Sequence, residues 1–176
     1  MRAVLHSILD SIREDGRGGV SAPVYSLRDG AIGGVAGGTA MVIVAMLYGM
    51  VSGNGIWFPV NLIAATAIRQ WQSAPPELFT RFDPAGLIFG AGIHVIVSIA
   101  IALLFTLLLP ALPGHPLIWA FVVGPMLWFG ALFGVLPLIN PVMAHNVDPA
   151  SFLASHLFYS LVVGFWLERA RPLKSW

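Results

Sequence analysis

The chain has 176 residues, of which 57% are hydrophobic and only 10% are charged, whereas an ordinary globular chain is about 25% charged. A soluble domain of this length could not bury so much apolar surface, so the composition predicts an integral membrane protein in contact with the lipid bilayer. The net charge of +1 gives no indication of a nucleic-acid partner. The absence of cysteine excludes disulfides, thiolate metal sites and cysteine nucleophiles.

Residues 1–29 are predicted to form an amphipathic N-terminal helix and a linker, ahead of a transmembrane helical domain over residues 30–176. Apolar residues in this first segment recur at helical spacing, with arginine and acidic residues between them. The apolar positions are Val4, Leu5, Ile8, Leu9 and Ile12. Such a helix lies on the membrane surface, docks on a partner, or packs under its own bundle. The segment lacks the apolar core of a signal peptide.

Four segments without acidic residues, lysine or arginine are long enough to cross a membrane as helices. They are residues 31–51, 84–109, 117–139 and 150–167. A fifth apolar segment, residues 56–68, would reach about 20 Å as a helix, short of the roughly 30 Å bilayer core. It is therefore predicted to be re-entrant or interfacial. The sequence predicts an all-α, polytopic transmembrane helical bundle, in which the proline-flanked connector at 140–149 is not helical.

Small residues recur at every fourth position in the spans, the pattern by which membrane helices approach each other closely. In the span 84–109 one such line also contains polar side chains, and this line is predicted to face the other helices. It consists of Gly86, Gly90, His94, Ser98, Ala102 and Thr106. Across the chain, the predicted helix-packing positions are Gly34, Gly38, Gly86, Gly90, Ser98, Gly130 and Gly134.

Two histidines are predicted to lie inside the membrane, where an ionisable residue is a functional hypothesis by default. His94 and His156 fall about 15 Å and 10 Å below the same membrane face, on helices that run parallel. Both rings are predicted to point into one interior volume, as ligands of a haem b or a metal ion. A metal ion needs further ligands, and His145 and Asp148 of the connector are the candidates. The favoured interpretation is that each histidine only hydrogen-bonds a neighbouring helix, with the haem or metal site as the first alternative and a proton or solute path as the second.

The leading functional prediction is a non-catalytic subunit or accessory protein of a membrane complex, with further copies or other membrane subunits as partners. A haem- or metal-binding membrane protein is the first alternative, and a small oligomeric transporter or channel is the second. No G-x-S-x-G or H-E-x-x-H motif occurs, and no acidic pair lies within a span. The sequence therefore favours a protein that is not an enzyme.

The distribution of basic residues predicts the orientation. Four spans put both termini on one side of the membrane, together with seven Lys and Arg residues, and leave only Arg69 and Arg81 on the other side. Because basic residues accumulate on the cytoplasmic side of membrane proteins, both termini are predicted to be cytoplasmic.

Overall fold

The computed structural model describes residues 25–170, so the predicted amphipathic N-terminal helix lies outside the described residues. Every regular element in this range is helical, and four helical segments are long and apolar enough to cross a membrane. The predicted all-α bundle with four spans is confirmed. The α-helices are α1 (Leu27–Val51), α2 (Phe58–Ala64), α3 (Glu77–Thr80), α4 (Pro84–Leu108), α5 (Pro116–Gly130), α6 (Leu136–Ile139), α7 (Pro141–Asn146) and α8 (Pro149–Arg169).

Polar side chains determine where three of the long helices begin. Ser26, Asp83 and Asp148 each precede a helix, and each accepts a hydrogen bond from the backbone N–H three residues further on. An N-cap of this kind satisfies one of the donors that the first helical turn leaves unpaired. The cap at Ser26 starts α1 four residues before the predicted beginning of the first span.

The two central helices, α1 and α8, are antiparallel. Gly33 in α1 packs on Trp166 near the end of α8, and one turn later Gly37 packs on Val163. The start of α1 and the end of α8 therefore lie at one face of the bundle, which we call the terminal face. The opposite face, where α1 ends at Val51 and α8 begins, is called the loop face.

The other two spans pack on the outside of this central pair. Gly34 of α1 contacts the backbone of α4 at Ile99, so that α4 runs antiparallel to α1. Gly164 of α8 contacts α5 at Leu117 in the same antiparallel sense. Helices α4 and α8 are consequently parallel, and both begin at the loop face.

Residues 52–83 leave the loop face and return to it, and we call this part of the chain, which contains the predicted re-entrant or interfacial residues 56–68, the re-entrant segment. Its helix α2 has only seven residues, about 10 Å of length, and it packs against α4 where Val60 meets Gly90. A 3₁₀ turn at Arg69–Ser73 and the short helix α3 lead back to the start of α4. The expectation that residues 56–68 do not cross the membrane is therefore consistent with the fold.

Two buried asparagines hold the re-entrant segment in place. Asn61, which is 1% exposed, donates hydrogen bonds to the carbonyl oxygens of Phe79 and Arg81 at 3.0 and 2.8 Å. These bonds join α2 to the chain that returns towards α4. Irregular backbone at membrane depth is tolerated where its polar groups are satisfied inside the protein.

The second asparagine, Asn140, is completely buried and makes four hydrogen bonds. Its Nδ2 donates to the carbonyl of Leu62 and to Oγ1 of Thr66, at 2.8 and 2.9 Å. Its Oδ1 accepts from Nε2 of Gln72 and from the backbone N–H of Met143, at 3.0 and 3.1 Å. The side-chain amide thus joins the re-entrant segment to the start of α7.

The connector at 140–149 corrects one prediction, because α7 makes most of it helical. Pro141 occupies the first helical position, where a missing N–H costs nothing because that group would have no partner in the helix. Asn140 caps this helix through the hydrogen bond from Met143. Prolines at both ends therefore start the two helices α7 and α8 rather than preventing helix formation.

The third span, Pro116–Ile139, is helical throughout but irregular. Helix α5 contains Pro125, a π-helical turn follows at Ala131–Val135, and α6 completes the span. Only 17% of its most apolar stretch is buried inside the bundle, compared with 44% for the span that forms α8. The third span is therefore the one most exposed to the surroundings of the bundle.

Candidate functional site

His94 lies on α4 against the central helix α1. Its Nε2 is 2.9 Å from the carbonyl oxygen of Gly38, and because a carbonyl only accepts, Nε2–H donates this bond. In the neutral ring Nδ1 then has a free lone pair and can accept a hydrogen bond. The absence of a side chain at Gly38 lets α1 and α4 approach closely enough for this hydrogen bond. A Cβ added at Gly38 would lie 2.8 Å from Oγ of Ser98 on α4.

A narrow cavity lies beside His94 in the half of the bundle nearest the loop face. Its volume is about 60 Å³, below the roughly 300–1,000 Å³ of small-molecule sites. Helices α1, α2 and α8 form most of its wall, and much of that wall is aliphatic or aromatic. The cavity surface is almost entirely apolar, and the polar residues among its lining come from three helices and the connector: Tyr48, Asp148, Ser151, Ser155 and His94.

The bundle is closed on the other side of His94, towards the terminal face. Tyr159 of α8 donates a 2.6 Å hydrogen bond to the carbonyl of Ser98, which ties α8 directly to α4. Beyond it lie Ala102, Val163 and Leu167, which are at most 1% exposed. This close-packed layer separates the cavity from the terminal face.

His156 does not contribute to the lining of this cavity, and the prediction that both rings share one interior volume stays a prediction. Its Nδ1–H donates to the carbonyl of Phe152, one turn earlier in α8, at 2.8 Å. The ring packs edge-on against the Phe152 ring, with the centroids 4.3 Å apart. This bond within its own helix holds the imidazole along α8, while Phe152 and Ser155 line the cavity.

Two of the four candidate metal ligands have hydrogen-bond partners at the ends of their own helices. His145 is exposed and its Nδ1–H donates to the carbonyl of Pro141 at 2.7 Å, while Asp148 caps α8. Within residues 25–170, no group of three or more His, Asp or Glu side chains is placed to hold a metal ion. The haem and metal hypotheses for His94 and His156 therefore gain no supporting geometry from the described part of the chain.

Five of the seven predicted helix-packing residues lie at contacts inside the bundle. Gly34 and Gly38 face α4, where added Cβ atoms would lie 2.8 Å from Ile99 Cα and from Ser98 Oγ. Gly86 and Gly90 face the re-entrant segment at Asn61 and Val60, and Ser98 is 5% exposed.

Gly130 and Gly134 have a different environment. A Cβ added at either position would meet no atom of residues 25–170 within 4 Å. The large residues beside them on the third span, Phe129 and Phe133, are 61% and 60% exposed. The spacing of these glycines is that of a packing face, but the described bundle supplies no helix to pack on it.

A polar contact closes the bundle at the terminal face. Glu168 near the end of α8 accepts hydrogen bonds from His115 Nδ1 at 3.0 Å and from the backbone N–H of Leu117 at 3.3 Å. Its carboxylate thus lies at the N-terminus of α5, where negative charge is favourable. Partial burial, and secondarily the charge of Glu168, raise the pKa of the Tyr25 phenol.

Several residues of the interior were missed by reasoning from the sequence. Asn61, Gln72, Asn140 and Tyr159 form hydrogen bonds between elements that are distant in the chain. The only available signal was the cost of an asparagine in an apolar segment, which implies a buried partner without identifying it.

No protein-family model, curated protein or solved structure matches the chain. Its class therefore rests on the fold: the protein is a multi-pass α-helical membrane protein with four helices long and apolar enough to cross the bilayer.

Proposed function

We propose that the protein is a non-catalytic subunit or accessory protein of a membrane complex, and that it associates through the third span. The observation that supports this is the outward position of Gly130 and Gly134, with no described atom within 4 Å of an added Cβ. Membrane helices associate where small residues allow close backbone approach. A pair of glycines one helical turn apart on an exposed face therefore fits a partner helix.

The local backbone gives a second argument. Gly134 lies within the π-helical turn Ala131–Val135, and π-helical turns inside helices occur frequently at functional sites. Phe129 and Phe133, whose ring centroids are 5.0 Å apart, form an aromatic ridge beside the glycines. The proposed partner helix lies in the shallow groove along Gly130 and Gly134, against this ridge.

The experiment compares Gly130→Leu and Gly134→Leu with Gly92→Leu in protein extracted from its native membranes with a mild detergent. Gly92 of α4 also has no described atom within 4 Å of an added Cβ, so it is a matched control. Leucine is a better helix former than glycine, so none of these changes should unfold the monomer. The mass of the complex is measured by size-exclusion chromatography with light scattering.

We expect wild type and Gly92→Leu to migrate as a complex, and both third-span variants to migrate at the 18.8 kDa monomer mass plus bound detergent. A wild-type mass that is a multiple of this value identifies further copies as the partner, and any other mass identifies a different subunit. A monomeric wild type, or a Gly134→Leu variant that retains the complex, would refute the proposal.

A further inference from the structure

A second cavity lies between α1 and α4 as a groove on the side of the bundle, and we call it the lateral groove. Its volume is about 220 Å³, near the lower end of the roughly 300–1,000 Å³ of small-molecule sites. Val35 on the α1 wall and Val95 on the α4 wall are 50% and 46% exposed. The groove therefore opens sideways towards the lipid, and its surface is almost entirely apolar.

Ser98 contributes a polar group to this apolar groove. The residue is only 5% exposed, and its backbone carbonyl accepts the hydrogen bond from Tyr159, but its Oγ has no hydrogen-bond partner within residues 25–170. Every fully buried side-chain nitrogen or oxygen in this range has a partner, so Oγ must be accessible from a cavity. Because Ser98 lines the lateral groove, its hydroxyl is an unpaired donor and acceptor there.

His94 lines the same groove one helical turn earlier in α4. Its Nε2–H is used by the carbonyl of Gly38, and its Nδ1 has no partner among the described residues, so Nδ1 is an accessible acceptor by the same reasoning. Side chains four residues apart on a helix have Cβ atoms about 5–6 Å apart. One hydroxyl between them can donate to Nδ1 of His94 and accept from Oγ of Ser98, since two such bonds of about 2.8 Å cover this separation.

The depth of this pair determines what kind of molecule gains by binding. His94 lies about 15 Å along α4 from the loop face, near the middle of a bilayer core of roughly 30 Å. Hydrocarbon offers no hydrogen bonds at this depth, and an unpaired polar group there costs free energy. A dissolved molecule that brings a hydroxyl group to the pair forms hydrogen bonds that the surrounding lipid chains cannot form.

The shape of the groove distinguishes such a molecule from a partner helix. Its 220 Å³ are spread between Leu87 and Ser98, over about 16 Å of α4. A helix with its side chains is about 10–12 Å wide and does not fit into so narrow a space, whereas a single ring or hydrocarbon chain does.

We propose that the lateral groove binds a lipid-soluble molecule with an apolar body and one hydroxyl group, which is held between Nδ1 of His94 and Oγ of Ser98. Phenolic rings and long-chain alcohols share this chemistry. The site is independent of the third-span face proposed as the association surface, because no residue of the third span lines the groove.

The experiment uses the full chain in lipid bilayers, with nitrogen-15 in its histidine rings, and follows the Nδ1 signal of His94 by solid-state NMR. An imidazole nitrogen that accepts a hydrogen bond shifts upfield. The probes are 4-hexylphenol, 1-decanol and 4-hexylanisole, the last being the methyl ether of the first, without a donor. Ser98→Ala removes one of the two proposed partners. Ser155→Ala is the matched control, because Ser155 is 2% exposed and does not line the groove.

We expect a saturable upfield shift with at least one of the two hydroxyl probes and none with 4-hexylanisole. A stronger response to 4-hexylphenol identifies a phenolic ligand, and a stronger response to 1-decanol identifies an aliphatic alcohol. Ser98→Ala should weaken the apparent affinity by about fivefold, as the loss of one hydrogen bond predicts, and Ser155→Ala should leave it unchanged.

A steric test does not depend on the hydrogen-bonding residues. Ala91 lines the groove and Ala100 does not, and both are exposed on α4. Ala91→Trp should fill the groove and abolish the shift, whereas Ala100→Trp should retain it. The absence of a shift with both hydroxyl probes, an equal shift with 4-hexylanisole, equal affinities of the two serine variants, or binding that survives Ala91→Trp would refute the proposed site.

Discussion

Gly90 and Gly92 of α4 are two residues apart and have opposite environments. A methyl group at Gly90 would overlap the backbone carbonyl of Val60 in the re-entrant segment, whereas one at Gly92 would meet nothing within 4 Å among the described residues. Glycine thus allows α2 to approach α4 closely at position 90, whereas at position 92 it has no packing role inside the described bundle. This contrast makes the pair a direct test of the helix-packing face.

We expect Gly90→Ala to destabilise the protein by about 1–3 kcal/mol, because the added methyl must push α2 away from α4. Gly92→Ala should be neutral or stabilise by about 0.5–1 kcal/mol, since alanine loses less backbone entropy in a helix. Thermal unfolding of both variants in the same detergent measures the difference. Equal effects of the two substitutions would mean that α2 does not pack on α4 through Gly90.

The small-residue line of α4 could be predicted because spacing alone reveals which residues share one face of a helix. Its residues Gly86, Ser98, Ala102 and Thr106 are all buried. The outward position of Gly130 could not be predicted in this way. Periodicity shows that two glycines share a face, but not whether the helix beside that face belongs to the same chain.

At the scale of elements, the re-entrant segment shows what length does and does not determine. A helical stretch too short for the bilayer core predicts that the chain turns back, and the return to the loop face agrees with this. Length does not identify the side chains that hold the segment in place. Asn140 forms hydrogen bonds with Leu62 and Thr66, which lie 78 and 74 positions earlier in the sequence. No local pattern identifies such partners, and the helical connector α7 was missed for the same reason, since its cap belongs to this network.

We expect Asn140→Ala to cost about 2–5 kcal/mol of stability, because truncation leaves buried donors and acceptors of the re-entrant segment without partners. Asn146→Ala is the matched control in the same helix. Its exposed amide makes one hydrogen bond, to the carbonyl of Val142, and its loss should change stability by less than about 0.5 kcal/mol.

Urea unfolding in mixed micelles compares the two asparagine variants, with limited proteolysis as a local probe of the re-entrant segment. Asn140→Ala should expose the chain between α2 and α3 to cleavage before the rest of the bundle unfolds. An Asn140→Ala protein as stable and as resistant as Asn146→Ala would show that this hydrogen-bond network does not hold the segment.

For the whole molecule, the helix order explains why both ends of the described chain lie at one face. Helices α1 and α8 form the antiparallel centre, and α4 and α5 each pack on one of them. The membrane-protein class and the number of spanning helices could be predicted from the sequence, because lipid restricts the spanning segments of a helical protein to long apolar helices. The arrangement of the helices around the centre could not be predicted, because spacing does not determine which helix packs on each small-residue face.

The last prediction concerns the orientation of this arrangement. Arg28 and Arg169 lie at the terminal face and Arg69 and Arg81 at the loop face. The sequence before and after residues 25–170 contains five further basic residues: Arg2, Arg13, Arg17, Arg171 and Lys174. Because basic residues near the ends of spans are retained in the cytoplasm, we propose that the terminal face is cytoplasmic and the loop face is not.

Single thiols in the cysteine-free chain test this orientation in intact cells. Ser52 is exposed at the loop face, and His115 is exposed at the terminal face, with 74% of its side chain accessible. We expect a membrane-impermeant maleimide to label Ser52→Cys in intact cells and His115→Cys only after the membrane is permeabilised. The reverse pattern would mean that the bundle is inserted with its basic face outwards. Labelling of both thiols in intact cells would mean that the two faces do not lie on opposite sides of the membrane, which would contradict the four-span topology.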